Sequence, residues 1–129
     1  LASGQRLARK VCTKCREEAS YEADFLARLR RRAEAEGGRW PADEPTFYTG
    51  KGCDACRHTG YFGRTGLYEI MEVVNNEIAV LISNRAPEAE IRQKAIDSGM
   101  TTMLADGVYK AMEGITTLEE VFRVLRVTI

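Results

Sequence analysis

Several features are scarce in this chain of 129 residues, and their scarcity excludes whole classes of protein. No apolar stretch approaches the roughly 20 residues that a membrane-spanning helix needs. The start of the sequence lacks the apolar core of a signal peptide, so we expect a protein that is not exported. The start also lacks an initiating methionine, so we expect the chain to be a piece of a longer protein.

An excess of one charge is also lacking, because 19 basic and 19 acidic residues give a formal net charge of zero. Such a chain has no general electrostatic attraction for nucleic acid or for an anionic membrane surface. His58 is the only histidine, so a Ser–His or Cys–His catalytic pair has a single candidate base. The sequence contains no phosphate-binding loop, zinc-protease helix, EF-hand loop or dinucleotide-binding fingerprint. The residues therefore predict no catalytic set.

Cysteine is scarce too, but its four residues form two close pairs. Cys12 and Cys15 make one C-x2-C motif, and Cys53 and Cys56 make a second one after a gap of 37 residues. Two such pairs supply the four thiolates of a closed, tetrahedral structural zinc site. We therefore predict one structural Zn²⁺ held by these four cysteines, with His58 outside the coordination shell. Four thiolate ligands leave no open position for metal catalysis.

Other interpretations of the cysteines remain open at this point. Two disulfides, or four unrelated thiols, would use the same residues, although disulfides require an oxidising compartment. A redox C-x-x-C motif usually occurs alone and near a βαβ pattern. A free-standing zinc ribbon could bind nucleic acid or another protein, although the zero net charge does not favour nucleic acid. The missing export signal and the paired thiols together indicate the cytoplasm.

The first half of the chain predicts helices around the cysteine pairs. Leu7 and Val11 lie four positions apart, which indicates one face of a short basic helix. Between the cysteine pairs an apolar residue recurs at every fourth position: Tyr21, Phe25, Leu29 and Ala33. This stripe predicts an amphipathic helix that begins at an N-cap, Ser20, and ends at Gly37-Gly38.

The second half predicts strands followed by four helices. Residues 46–49 and 67–74 are rich in β-prone side chains. Later apolar residues recur three and four positions apart, with Gly99 and Gly114 as helix stops and residues 117–120 as a capping box. We predict a mainly α fold with a small β-hairpin, in which a tetracysteine zinc-binding subdomain joins a C-terminal helical bundle.

A set of segments in a fixed order carries a resemblance to a known family. The set comprises Gln5-Arg6-Leu7, the two cysteine pairs with Gly52 before the second, T-G-Y-x-G-R-T-G-L-Y-E at residues 59–69, G-M-x-x-M-x-x-D-G at residues 99–107, and G-x-T-T-x-E-E-V at residues 114–121. The combination resembles the C-terminal region of the ATPases that drive type II secretion and type IV pilus assembly, the GspE/PilB family. The resemblance covers essentially the whole chain.

The resemblance implies a role in a larger machine. Proteins of this family are cytoplasmic, homo-hexameric P-loop ATPases held at the bacterial inner membrane by platform and adaptor proteins. Their cycle of ATP and Mg²⁺ binding pushes on the platform protein, so that pilin or pseudopilin subunits are extruded. The family's Walker motifs lie upstream of its cysteines and are missing from this sequence. We therefore expect this piece to be inactive alone, to serve structure and coupling, and to bind no nucleic acid.

The resemblance also implies a division into three parts. Residues 1–11 are expected to end the RecA-like ATPase core, residues 12–66 to form the tetracysteine subdomain with a helical insertion, and residues 67–129 to form a strand and the helical bundle. Arg6 and Arg9 are expected near the subunit interface of the parent. The segment between the cysteine pairs is longer and more charged than is typical of the family, which leaves its role open between a contact with the platform protein and a decoration of the fold.

Overall fold

The computed structural model describes residues 2–71 and 76–129, which form four strands, five α-helices and one short 3-10 turn. The strands are β1 (Ala2–Val11), β2 (Arg16–Ala19), β3 (Phe47–Gly50) and β4 (Tyr61–Met71), and the 3-10 turn covers Asp54–Cys56. The helices are α1 (Ala23–Ala35), α2 (Asn76–Ser83), α3 (Glu88–Asp97), α4 (Met103–Met112) and α5 (Leu118–Leu125). None of these described helices is long and apolar enough to cross a membrane.

The first segment is a strand, so the helix indicated by Leu7 and Val11 is wrong. β1 pairs antiparallel with β4, from Ala2 opposite Met71 to Val11 opposite Tyr61, with a bulge between Arg9 and Val11. Val11, beyond the bulge, is buried, whereas Leu7 is 55% exposed. A helical pattern made of only two apolar residues is weak evidence for a helix. Hydrogen bonding to a partner strand that lies far along the chain decides the conformation instead.

Both sheets join segments that are distant in sequence. β2 pairs antiparallel with β3, from Arg16 opposite Gly50 to Ala19 opposite Phe47, and so brackets the whole segment that contains α1. β4 begins at Tyr61, ahead of the predicted start at residue 67, because β1 offers a partner along that length. The predicted end of this strand at residue 74 and the turn at residue 75 lie outside the described residues. In place of one hairpin, the described part of the chain has two separate two-stranded sheets.

Helix α1 buries the apolar stripe that the sequence predicts. Leu29 and Ala33 are almost fully buried, and the ring of Phe25 meets the edge of Phe122 in α5 at a centroid distance of 6.2 Å. The N-cap is Glu22 rather than Ser20. Gly37 takes a positive φ of 90° after the helix and confirms the predicted stop. The segment between the cysteine pairs therefore packs into the core and forms one side of it.

The buried side chains form two clusters. The main cluster contains residues from β1, α1, β3, β4, α4 and α5: Ala8, Leu29, Ala33, Phe47, Leu67, Leu104, Val108, Ala111, Leu118 and Val121. The second cluster contains Ile78, Ala95 and Met100, with Met71 at the end of β4 packed against it. The four C-terminal helices are thus divided, because α4 and α5 pack on the β1–β4 sheet whereas α2 packs on α3.

Candidate metal centre

The four cysteines lie together, with all their Sγ atoms within 4.8 Å of one another. The Sγ atoms of Cys12 and Cys53, of Cys15 and Cys56, and of Cys53 and Cys56 are each 3.8 Å apart. A tetrahedral ion with metal–sulfur bonds of about 2.3 Å places its ligands about 3.8 Å apart. The sulfurs of a disulfide are only about 2.05 Å apart. The cysteines are free, and their spacing fits four ligands around one ion rather than two disulfides.

Backbone amides point at the sulfurs from both sides of the second pair. The N–H of Cys53 donates to Sγ of Cys56 at 3.3 Å, and the N–H of Gly60 donates to the same sulfur at 3.2 Å. The N–H of Gly52 donates to Sγ of Cys15 at 3.3 Å. Hydrogen bonds of this kind stabilise thiolates and fix the direction in which each sulfur faces.

The approach of three backbone segments to the cluster depends on glycine. The N–H of Cys12 donates to the carbonyl oxygen of Gly60 at 2.9 Å. A Cβ on Gly50 would lie 2.2 Å from that same oxygen, and Gly60 itself has a positive φ of 82°. No side chain fits between β3 and the start of β4 at this point, so the second cysteine pair sits directly against the first.

The electrostatics of the cluster favour a bound cation. Burial raises the pKa of the Cys15 thiol to about 12, although the Gly52 amide acts in the opposite direction. Burial also raises the pKa of Cys56, but the amides of Cys53 and Gly60 outweigh this effect and lower the pKa to about 6. One thiolate is therefore stable by itself, whereas further ionisation brings like charges together. A divalent cation among the sulfurs removes that conflict.

Comparisons with known proteins show the family of this chain. A family model described as type II/IV secretion system protein matches residues 1–123. The chain belongs to this family. It is 42% identical over 118 residues to the type IV pilus assembly ATPase PilB of Thermus thermophilus, which is 91% of this chain and 12% of the relative. It is 41% identical over 125 residues to the type II secretion system protein E of Pseudomonas aeruginosa, which is 95% of this chain and 22% of the relative.

The match to the type II/IV secretion system protein family confirms the resemblance found in the residues. The PilB of Pseudomonas aeruginosa is also 39% identical over 131 residues, which is 98% of this chain and 21% of that relative. The chain thus spans less than a quarter of the length of each of these three relatives.

The other predicted site residues lie apart from the sulfurs in this family member. His58 is exposed and its Nε2 lies 3.0 Å from Oδ1 of the exposed Asp54, at the surface beside the second pair. Arg6 is exposed on β1. The guanidinium of Arg9 stacks over the ring of Tyr61, 4.1 Å from its centroid, and also pairs with Glu120.

Glu120 is a residue whose role the sequence reasoning missed. Its backbone N–H donates to Oγ1 of Thr117 at 3.1 Å, as the predicted capping box requires. Its buried carboxylate instead accepts from the backbone N–H of Arg9 at 2.7 Å and from the guanidinium groups of Arg9 and Arg123 at 2.8–3.2 Å. Burial raises the pKa of Glu120, but these arginine contacts outweigh it and lower the pKa to about 2. The carboxylate therefore ties β1 to α5.

The residues beside the first cysteine pair are tied to the loop between α4 and α5. The N–H of Val11 donates to the carbonyl of Ile115 at 2.9 Å. On the other side of the pair, the guanidinium of Arg16 donates to the carbonyl of Gly114 at 2.8 Å. These two hydrogen bonds join the residues on either side of the first cysteine pair to the loop that precedes α5.

Proposed function

We propose that this chain is the zinc-stapled C-terminal part of a secretion or pilus-assembly ATPase, with a structural and coupling role. The observation that carries the proposal is the four-sulfur cluster with tetrahedral spacing in a chain of this family. Thiolate ligands in tetrahedral geometry are typical of zinc. Cys12, Cys15, Cys53 and Cys56 are the ligands, and Zn²⁺ supplies structural cross-linking at this site.

The exposed face of the β1–β4 sheet supports a junction with the rest of the parent protein. Leu7, Tyr68 and Ile70 are 55%, 46% and 52% exposed, and the strand register places them on one face of the sheet. In the proposed parent this face packs on the RecA-like core, to which residues 1–11 belong. Residues 12–66 form the metal subdomain, and residues 67–129 form the C-terminal strand and helices.

The proposed parent binds ATP and Mg²⁺ outside this chain, forms a homo-hexamer, and works on the cytoplasmic side of the bacterial inner membrane with platform and adaptor proteins. Relatives named as pilus assembly ATPases support this assignment. Arg9 is engaged by Glu120 within the chain, so Arg6 is the better placed of the two to face a neighbouring subunit. The contacts from the metal centre to the α4–α5 loop carry core movements into α5.

Metal content and coupling test this proposal in turn. Elemental analysis of freshly purified protein is expected to find one zinc ion per chain. In the full-length parent, Cys12→Ser with Cys53→Ser is expected to reduce secretion or pilus assembly more than ATP hydrolysis. His58→Ala is the matched control, since His58 lies beside the centre without being a ligand. Full assembly by the cysteine variant, or a salt-sensitive complex of the zinc-loaded chain with nucleic acid, would contradict the proposal.

A further inference from the structure

The α2–α3 pair meets the rest of the fold at one carboxylate, that of Glu69 in β4. Both terminal nitrogens of the Arg92 guanidinium in α3 donate to it, at 2.7 and 2.9 Å. The backbone N–H of Met103, the first residue of α4, donates to the same carboxylate at 3.1 Å. Burial raises the pKa of Glu69, but the hydrogen bonds from Arg92 and Met103 outweigh it and lower the pKa. The ionised carboxylate therefore joins β4, α3 and α4 at one point.

A cavity of about 220 Å³ lies between α3 and the end of the β1–β4 sheet. Gly4, Glu69 and Met71 line it on the side of the sheet, and Arg92 and Met100 line it on the side of α3. The Arg92–Glu69 pair therefore spans a gap in the packing between the two buried clusters. A boundary that contains a void loses fewer van der Waals contacts on opening than a close-packed boundary does. The two sides can therefore separate with little loss of packing once the ion pair is broken.

The linker between α3 and α4 is divided between the same two sides. The N–H of Met100 donates to the carbonyl of Ala95 within α3 at 2.9 Å. Two residues further on, the N–H of Thr102 donates to the carbonyl of Glu36, just after α1, at 3.1 Å. Thr101 lies between these anchors and is exposed, and its hydroxyl donates to the carbonyl that follows Glu36 at 3.3 Å. The boundary between the α2–α3 pair and the main body therefore falls at Thr101.

We propose that α2 and α3 form a lid that swings as one unit about Thr101, with the Arg92–Glu69 ion pair as its latch. When the latch opens, α2 and α3 stay packed on each other, and the cavity becomes open to solvent at Met71 and Met100. Glu69 still accepts the N–H of Met103, so α4 keeps its place on the sheet. Hinge motions of this kind need only one or two backbone positions to change. The lid does not depend on a motor function, because it concerns this chain alone.

Methionine methyl groups report on the lid, because they lie on both sides of the boundary. Met71 and Met100 line the cavity, whereas Met112 at the end of α4 packs against the main cluster. NMR relaxation dispersion of the methyl signals, in the zinc-loaded chain of 129 residues, gives the population of the open form. Arg92→Gln is expected to raise this population about tenfold or more, as the loss of hydrogen bonds to a charged group does. Met71 and Met100 should report one common exchange rate, and Met112 should show no exchange.

Lys94→Gln is the matched control for the latch. It removes one positive charge from the same helix, but the ion pair that it breaks joins Lys94 to Glu77 inside the lid. Its open population should therefore equal that of the wild type. Glu69→Gln added to Arg92→Gln should open the lid no further, because both changes remove the same contact. Amide hydrogen exchange within α2 and α3 should stay slow in Arg92→Gln, since the lid moves without unfolding.

Three results would overturn the lid. The first is an open population in Arg92→Gln that does not exceed that of the wild type. The second is an equal rise in Lys94→Gln, which would assign the effect to the charge of α3 rather than to the latch. The third is a loss of amide protection throughout α2 and α3 in Arg92→Gln, because local unfolding would then replace the swing of an intact pair.

Discussion

The main cluster and the α2–α3 pair bury similar side chains, but they differ in what holds each together. The main cluster gathers 10 buried residues from six segments, and the four cysteines bring two further loops together with all their Sγ atoms within 4.8 Å. Among the described residues, the α2–α3 cluster has three buried members from neighbouring segments, and Met71 and the Arg92–Glu69 ion pair join it to β4. Because local stability follows the number of buried contacts, the α2–α3 pair should open before the main cluster.

Metal removal should have the largest effect on the difference between the two regions, because it destabilises the more stable one. Structural zinc contributes on the order of 10 kcal/mol to the folding of small metal domains. We therefore expect a chelator to remove amide-exchange protection from residues 12–19 and 47–60, and zinc addition to restore it. Hydrogen exchange with mass spectrometry measures the change. Protection that persists in the chelated protein would mean that the main cluster does not need its ion.

Two truncations of equally buried aliphatic residues sharpen the comparison. Leu67 in the main cluster and Ile78 in the second cluster are 0% and 1% exposed. Leu67→Ala should lower the free energy of global unfolding by about 3 kcal/mol, whereas Ile78→Ala should lower it by less than about 1 kcal/mol. Ile78→Ala should instead speed hydrogen exchange within α2 and α3. Urea denaturation gives the first quantity, and equal losses for the two variants would show one cooperative unit.

The buried Glu120 carboxylate should give the next largest effect. Glu120→Gln keeps the shape of the side chain but removes the charge that accepts from Arg9 and Arg123. We expect a loss of about 2 kcal/mol in the free energy of unfolding, the contribution typical of charge-assisted hydrogen bonds. Glu34→Gln is the control, since the Arg30–Glu34 pair is exposed on α1 and should contribute little.

The same carboxylate predicts a pH dependence. The pKa of Glu120 is lowered from 4.5 to about 2 in the folded chain, so its stabilising contribution is complete above the unfolded value. The contribution should decline as the pH falls from 4.5 towards 2, because the unfolded chain then binds the proton first. Denaturation curves of wild type and Glu120→Gln should therefore converge across this interval. A constant difference between them would contradict the assigned contacts.

The smallest effect concerns the end of α3. Gly99 has a positive φ of 110°, and nothing lies within 4 Å of where its Cβ would be. Gly99→Ala should therefore cost about 1 kcal/mol from backbone strain alone, without a steric clash. Hydrogen exchange should detect this loss in α2 and α3, while the main cluster keeps its protection. Loss of protection in β1 and β4 would contradict the separation of the two regions.

The ends of three helices were predictable because their stop signals are local. Gly37, Gly99 and Gly114 follow α1, α3 and α4, and all three adopt a positive φ, of 90°, 110° and 75°. After α3, the N–H of Met100 donates to the carbonyl of Ala95, which completes a helix stop formed by adjacent residues. The cysteine pairs were predictable because their signal is also local: a C-x2-C motif directs both thiols to one side within a few residues.

Other features could not be predicted, because they depend on partner residues that are distant in the sequence. β1 is a strand because β4 lies beside it, although its own residues suggested a helix. Glu120 was visible as a capping residue, but its carboxylate is taken up by Arg9 of β1. The segment with α1 was open to interpretation as decoration, and its stripe instead completes the main core against Phe122.

The difference between the features that the sequence predicted and those that it did not follows from the range of the interactions involved. Turn conformations, helix stops and the ligand chemistry of the cysteines are set by neighbouring atoms, so the order of residues was enough to read them. Strand pairing, the pairing of Glu120 and the separation of the helices into two clusters depend on which distant segments meet. Only the packed molecule decides those, because a polar group or an apolar face is stabilised by whichever partner the fold brings to it.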